Sequence, residues 1–272
     1  MIECVQTNRK KILIFIGVLI GIVILLMPTK TKHLEVEYDT STEAYLESKK
    51  EITEEEKVSL ILNENMDTIT FFSNTFLIDE DQIISKLQEN YQELDLLNNS
   101  DNFDKIVLDY LLKLETEEKV LFKTTRVANT MDKEYIVKVL KYFCKLYPNV
   151  DFTIAASIAQ VESGYTSIYM LNKNNIFGGM YQGGLIGYKT IEYGVLKYVI
   201  LLDEGYFQKG LNTVELIGKI YNPTFDENGQ KIAKPAWVYN VTNAMEEFAN
   251  IDDVDTSMLN NEKTIQNILA NK

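Results

Sequence analysis

Glu162 is the residue best suited to acid–base chemistry, because it ends a nearly uninterrupted apolar run from Thr153 to Val161. Gly164 follows closely, and glycine commonly stands just beyond the last turn of a helix, so we expect Glu162 in the final turn of a buried helix. The negative end of the helix dipole and the apolar surroundings both favour the protonated carboxyl group. Such an acid can donate its proton to a glycosidic oxygen, although a glutamate at a helix end can also simply face solvent.

A second motif, Asn-Asn-Ile-Phe-Gly at residues 174–178, follows the glutamate at a short distance. Together with the Ala-Gln-Val-Glu-Ser-Gly-Tyr stretch at residues 159–165, it resembles the glucosaminidase domain of glycoside hydrolase family 73. The resemblance covers roughly residues 132–250 and extends to segments at 187–194, 198–202, 221–223 and 237–241. It implies a lysozyme-like fold that cuts bacterial cell-wall glycan, and it implies that Glu162 is the catalytic acid.

The resemblance also suggests the other residues of the site. Tyr221 and Asn222 look like the tyrosine–asparagine pair that related transglycosylases place near the scissile bond, where the tyrosine hydroxyl could stabilise positive charge on the sugar. A glycan offers hydroxyl edges and apolar faces, so amides and aromatic rings are expected around it. With Tyr221 as the second catalytic residue, the predicted substrate-binding residues are Tyr165, Asn174, Asn175, Phe177, Gly178, Tyr188, Asn222 and Trp237. Tyr181, Gln182 and Phe225 are further candidates.

Several of these residues also have purely structural explanations. Phe177 is better suited to fill the core beneath the loop than to contact a sugar. Asn174 and Asn175 can form a turn with left-handed geometry. Gly178 permits a close backbone approach, either to a substrate or to the helix that carries Glu162.

The sequence departs from the family where a second catalytic carboxylate is expected. Many family members carry it on an inserted hairpin, but the corresponding stretch here, Gly179 to Leu185, contains no acid. The remaining candidates are Glu192, which we expect in the first turn of a helix, and Asp226 and Glu227, which we expect in a turn. Three mechanisms stay open: inversion through a water held by a distant acid, nucleophilic attack by the substrate's own N-acetyl group, and lytic transglycosylation with one glutamate.

Composition and charge exclude several other functions. The net charge is −13, with 40 acids against 27 bases, and this balance argues against a nucleic-acid partner. The two cysteines, Cys4 and Cys144, show no zinc-binding spacing, and the only histidine is His33. We therefore predict no metal and no cofactor, and chemistry that relies on carboxylates, hydroxyls and amides.

The N-terminal region contains a candidate membrane anchor. Basic residues at positions 9–11 precede an uncharged apolar run from Ile12 to Met27. At about 1.5 Å per residue this run spans roughly 24 Å, and snorkelling lysines can bridge the rest of the bilayer core. No small-residue cleavage site follows, so we predict a single uncleaved span at the cell membrane, with the body on the extracytoplasmic side.

The predicted organisation has six parts: a cytoplasmic N-terminus at 1–11, an anchor at 12–29, an acidic linker at 30–57, a helical extension or stalk at 58–125, a glucosaminidase-like catalytic domain at 126–250 and a C-terminal tail at 251–272. The fold class is mainly α, a lysozyme-like helical domain with a small irregular or hairpin lobe. The predicted function is a membrane-anchored peptidoglycan endo-β-N-acetylglucosaminidase. The alternatives are a lytic transglycosylase that uses the same Glu162, or a non-catalytic glycan-binding or scaffold protein for an integral membrane partner.

Overall fold

Helices dominate the architecture, which confirms the predicted mainly α class. A computed structural model describes residues 52–270. Within them, the α-helices are α1 (Glu54–Glu64), α2 (Met66–Phe76), α3 (Glu80–Asn90), α4 (Phe103–Glu117), α5 (Lys133–Leu146), α6 (Phe152–Ser163), α7 (Ile168–Leu171), α8 (Ile191–Gly205), α9 (Val214–Tyr221), α10 (Pro235–Phe248) and α11 (Thr256–Ala270). Three short 3₁₀ helices lie at Ser100–Asn102, Lys119–Leu121 and Phe207–Lys209.

Side-chain caps explain where many of these helices begin. Thr53 and Glu56 form a reciprocal capping box at the start of α1, so the acidic cluster predicted as linker provides a helix N-terminus. Acids at this end of a helix are stabilised by the exposed N–H groups. The caps of α5, α6, α8 and α9 are Asp132, Asp151, Thr190 and Thr213, each accepting a bond from a backbone N–H three residues later.

The core is continuous from the helices before residue 125 to those after it. Helix α6 packs mainly against α10, and α5 packs against α8. Helix α2 contacts α8 and α11, and its Phe71 ring lies 5.2 Å from the Tyr142 ring of α5. Residues 52–270 fall in one compact unit, so the predicted extension is an integral part of the body.

The predicted C-terminal tail contains helix α11, which packs against α2 and α5. The polar contacts that hold it include Thr256 to Thr68 of α2, Lys138 of α5 to Glu262, and Lys263 to Glu192 of α8. Leu259 is fully buried at the same interface. The body therefore extends well beyond the predicted domain boundary at residue 250.

Two short hairpins provide the described β structure. Strands β1 (Met180–Tyr181) and β2 (Gly184–Leu185) pair antiparallel, with Met180 opposite Leu185. Strands β3 (Pro223–Phe225) and β4 (Lys231–Ala233) pair antiparallel, with Pro223 opposite Ala233.

No helix within residues 52–270 is sufficiently long and apolar to cross a membrane. The predicted anchor at 12–29, the predicted cytoplasmic segment at 1–11 and most of the predicted linker lie outside the described residues.

Candidate active site

Glu162 lies in the last turn of α6, where the sequence predicts it. Gly164 ends the helix in the left-handed conformation, with φ of 58°. The residues from Ile154 to Ala159 are buried, so the helix delivers the carboxyl group from the interior to a half-buried position.

Two groups define the surroundings of the Glu162 carboxyl group. The indole Nε1 of Trp237 donates a hydrogen bond to Oε1 at 3.0 Å. Gly178 lies on the side of the other oxygen, since a Cβ added there would stand 3.7 Å from Oε2. No ion pair within residues 52–270 involves Glu162, whereas several other glutamates have lysine partners.

The pKa of Glu162 is raised above the usual glutamate value. Burial is the main cause, because it disfavours the charged form, and the Trp237 hydrogen bond opposes this by stabilising the carboxylate. The carboxyl group thus combines a raised pKa with access to the surface. These are the properties that a general acid requires.

Tyr221 lies at the C-terminal end of α9, next to the same cluster. Its hydroxyl donates to the carbonyl oxygen of Phe177 at 2.7 Å, and its ring stacks on Trp237 with centroids 5.6 Å apart. Burial raises the pKa of the Tyr221 hydroxyl, and the charge of Glu162 raises it further. The predicted catalytic pair is therefore brought together, with the tyrosine positioned as a neutral hydrogen-bond donor.

Asn174 and Asn175 hold the loop that leads to Gly178. Asn174 adopts φ of 53°, and its side-chain amide donates to the carbonyls of Val127 and Tyr188 at 2.9 and 3.0 Å. Asn175 donates to the carbonyl oxygens of Gly179 and Ile186, which lie on either side of hairpin β1–β2. Both side chains are buried, so they shape the loop from within.

Phe177 and Tyr165 also lie inside the protein. The Phe177 ring stacks on Tyr198 with centroids 4.4 Å apart, which fixes the loop against α8. Tyr165 donates its hydroxyl to the carbonyl of Ala156 within α6. Five residues of the predicted substrate-binding set are therefore buried: Tyr165, Asn174, Asn175 and Phe177 support the loop from within, and Trp237 binds the Glu162 carboxyl group.

The remaining predicted residues are more accessible. Tyr188 is half-buried and packs on Phe177, with ring centroids 6.1 Å apart. Asn222 is half-buried at the end of α9. Tyr181 on β1 and Phe225 on β3 are each 70% exposed, so both rings are free to contact a ligand.

The two hairpins originate at the residues around Glu162. Strand β1 begins two residues after Gly178. Strand β3 begins two residues after Tyr221, and β4 ends shortly before Trp237. The glutamate thus lies at the base of two projecting hairpins, each with an exposed aromatic ring.

Two of the three candidates for a second carboxylate are engaged elsewhere. Glu192 is in the first turn of α8 as predicted, but it is buried and bound by the Tyr135 hydroxyl and the Lys263 ammonium at 2.8 and 2.7 Å. Asp226 accepts bonds from the backbone N–H groups of Asn228 and Gln230, which confirms the predicted turn. Glu227 in the same turn is exposed.

Two glycines with positioning roles were not singled out as site residues in the sequence. A Cβ on Gly194 of α8 would lie 1.9 Å from the carbonyl oxygen of Asn174, so this helix can approach the loop only through glycine. A Cβ on Gly218 of α9 would lie 3.0 Å from the Trp237 ring and 2.6 Å from the Ala233 Cβ. Their place within helical runs was the available signal, since glycine there usually marks close packing.

No group of histidine, cysteine or acidic residues within 52–270 has the geometry to hold a metal ion. Comparisons with protein-family models, with curated proteins and with solved structures found no match. The resemblance to family 73 therefore stays a prediction carried by the quoted motifs.

Proposed function

We propose that this protein is a peptidoglycan endo-β-N-acetylglucosaminidase with a lysozyme-like fold and with Glu162 as its general acid. The observation that carries the proposal is a half-buried glutamate with a raised pKa and, among the described residues, no cationic partner, at the base of two hairpins. Its proton would pass to the glycosidic oxygen as the bond from that oxygen to the sugar C1 breaks, and water would finally add at C1.

The contacts of Glu162 support this assignment of roles. The Trp237 bond occupies Oε1, which leaves Oε2 as the oxygen that would carry the proton beside Gly178. Tyr221 would fix the position of the loop relative to Glu162 through its hydrogen bond to the Phe177 carbonyl oxygen. The exposed rings of Tyr181 and Phe225 would pack against apolar sugar faces on either side.

Lytic transglycosylation is the second candidate, and one observation favours it. Of the acids considered as a second carboxylate, Glu192 is paired with Lys263 and Asp226 holds its own turn. A mechanism that requires only one protein carboxylate suits such a site. Attack by the substrate's N-acetyl group would satisfy the same condition and would retain hydrolysis.

The proposed setting is the outer face of the cell membrane, with residues 12–29 as a single-pass anchor. Anchoring would raise the effective concentration of the enzyme near membrane-proximal glycan strands. This would compensate for a body whose net negative charge provides no general attraction to anionic wall polymers.

The test compares the full chain with Glu162→Gln and with Glu93→Gln, at an exposed glutamate outside the site, on purified glycan strands. Loss of a general acid typically costs about 10²- to 10⁴-fold in rate, so we expect Glu162→Gln to lose cleavage and Glu93→Gln to retain it. Mass spectrometry of the product ends identifies the reaction. Reducing N-acetylglucosamine ends support the glucosaminidase, and anhydro-muramyl ends support the transglycosylase.

Two outcomes would contradict the proposal. Full activity in Glu162→Gln would remove the assigned role of this residue. Binding of glycan without any product from the wild-type chain would favour the non-catalytic glycan-binding or scaffold function instead.

A further inference from the structure

A cleft separate from the Glu162 carboxyl group has an unusual charge for this acidic protein. It has a volume of about 540 Å³ and lies between the segment that follows α4 and the segment that precedes and opens α8. Its lining includes four cationic side chains and one carboxylate, together with three aromatic rings: Lys119, Lys123, Arg126, Lys189, Glu115, Phe122, Tyr188 and Tyr193. The cleft is thus locally positive on a chain whose net charge is −13.

The one carboxylate in the lining is already paired with a cation and a hydroxyl group. Glu115 forms an ion pair with Lys189 and accepts a hydrogen bond from the Tyr193 hydroxyl at 2.7 Å. Lys189 is held further by the Tyr193 ring, whose centroid lies 4.4 Å from the ammonium nitrogen. This inner pair neutralises itself and leaves no acid for the other cations.

The outer cations have weak partners or none. Lys123 pairs with Asp79 at 2.7 Å, but both side chains are more than 60% exposed, so solvent screens the pair. Within residues 52–270 no hydrogen bond or ion pair engages the side chain of Lys119 or Arg126. Two unpaired cations therefore border the same cleft.

Arg126 has a defined position in spite of its exposure. Its guanidinium lies over Gly187, since a Cβ added to Gly187 would stand 2.7 Å from Nη1. The next residue, Val127, donates its N–H to the carbonyl of Lys189 at 2.8 Å and so ties the two walls together. The planar guanidinium therefore lies at the rim of the cleft, where it can donate two parallel hydrogen bonds to an oxyanion.

We propose that this cleft binds a phosphate group, with Arg126 and Lys119 as its principal ligands and Lys123 as a supporting charge. Lys119 and Arg126, the two cations of the lining with no ion pair within residues 52–270, are matched better by a dianion than by a single carboxylate. The cleft also shares Tyr188 with the loop at the candidate active site, because the Tyr188 ring packs on Phe177 and its carbonyl oxygen accepts a hydrogen bond from the Asn174 amide.

The experiment is a chemical-shift titration of the full chain at constant ionic strength, which reads the amide signals of Gly187 and Lys189. The probes are inorganic phosphate, dimethyl phosphate as a diester, and acetate as a carboxylate. We expect inorganic phosphate to bind most tightly. Tighter binding of dimethyl phosphate than of acetate would assign the ligand to a polymer or lipid diester, whereas equal binding of the two would assign it to free or terminal phosphate.

Two variants test the role of Arg126, and a third serves as the control. Arg126→Gln should weaken phosphate binding about tenfold or more, because a hydrogen-bonded charge is lost. Gly187→Ala keeps every charge but displaces the guanidinium, so it should weaken binding to a smaller extent. Lys219→Gln, at an exposed lysine of α9, removes the same charge elsewhere and should leave binding unchanged.

The inference would be overturned by equal effects of Arg126→Gln and Lys219→Gln, by acetate binding as tightly as phosphate, or by wild-type affinity in Gly187→Ala. Glu162→Gln should bind phosphate normally. The phosphate site and the proposed glycan cleavage can therefore fail independently of each other.

Discussion

Glu162 and Glu192 are two glutamates withdrawn from solvent in opposite ways. Glu192 is 1% exposed, and the protein compensates its charge with Lys263 and the Tyr135 hydroxyl. Glu162 is half-buried, and its one side-chain hydrogen-bond partner among the described residues is the neutral indole of Trp237.

The presence or absence of a cationic partner distinguishes a carboxylate with a structural role from one suited to acid–base chemistry. The charge of a buried carboxylate with a close cation and a hydrogen-bond donor is compensated within the fold. A carboxyl group that is desolvated without a cation keeps its proton to higher pH. The following predictions test this contrast, from the largest expected effect to the smallest.

Replacement of Lys263 by methionine should destabilise the fold by about 3 kcal/mol, because Glu192 would remain buried without its cation. Urea unfolding measures the effect. Lys105→Met is the matched control, since Lys105 and Asp109 form an exposed pair that should contribute under about 1 kcal/mol. An equal cost for the two variants would show that the charge of Glu192 does not need Lys263.

Loss of the tyrosine hydroxyl beside Glu192 should cost more stability than loss of the tyrosine hydroxyl beside Glu162. Tyr135→Phe removes a donor to a buried carboxylate and should cost about 2 kcal/mol of unfolding free energy. Tyr221→Phe removes a donor to the Phe177 carbonyl and should cost about 1 kcal/mol. If Tyr221→Phe loses more unfolding free energy than Tyr135→Phe, Tyr221 stabilises the fold by more than its one hydrogen bond indicates.

Glu162 should also reduce stability as the pH rises. Its native pKa is raised above the unfolded value of about 4.3, so the native state binds more protons between those two values. Wild-type stability relative to Glu162→Gln should therefore fall as pH increases through that window, and then stay level. Urea unfolding of both proteins across the window measures this, and a parallel pH dependence would contradict a raised native pKa.

The hydrogen bond from Trp237 should lower the pKa of Glu162. It stabilises the carboxylate, so Trp237→Phe should raise the pKa of Glu162 further. Carbon NMR of the Glu162 carboxyl group detects the shift, and any cleavage activity should persist to higher pH. Tyr221→Phe keeps the indole donor and serves as the control, while a downward shift in Trp237→Phe would contradict the assigned effect of the bond.

Local pattern was sufficient to predict the helical class and the position of Glu162. An apolar run that ends at glycine specifies a buried helix and its last turn, and both depend on neighbouring residues alone. The first-turn position of Glu192 and the turn at Asp226 were predictable for the same reason.

The partners of these residues were not predictable, because they come from distant parts of the chain. Trp237 lies 75 residues from Glu162, and Lys263 lies 71 residues from Glu192. Asn175 was expected to contact a sugar, but its amide groups are used by the backbone on both sides of a hairpin. A polar residue type indicates that a bond will form and does not indicate with what.

Helix α11 has a consequence for the order in which the protein is made. It follows every other described element, yet it supplies the cation for Glu192 and the bonds to Thr68 and Lys138. During synthesis the chain emerges N-terminus first. The buried charge of Glu192 is therefore compensated only after residue 263 has been synthesised. The unit can reach its final form only late in translation.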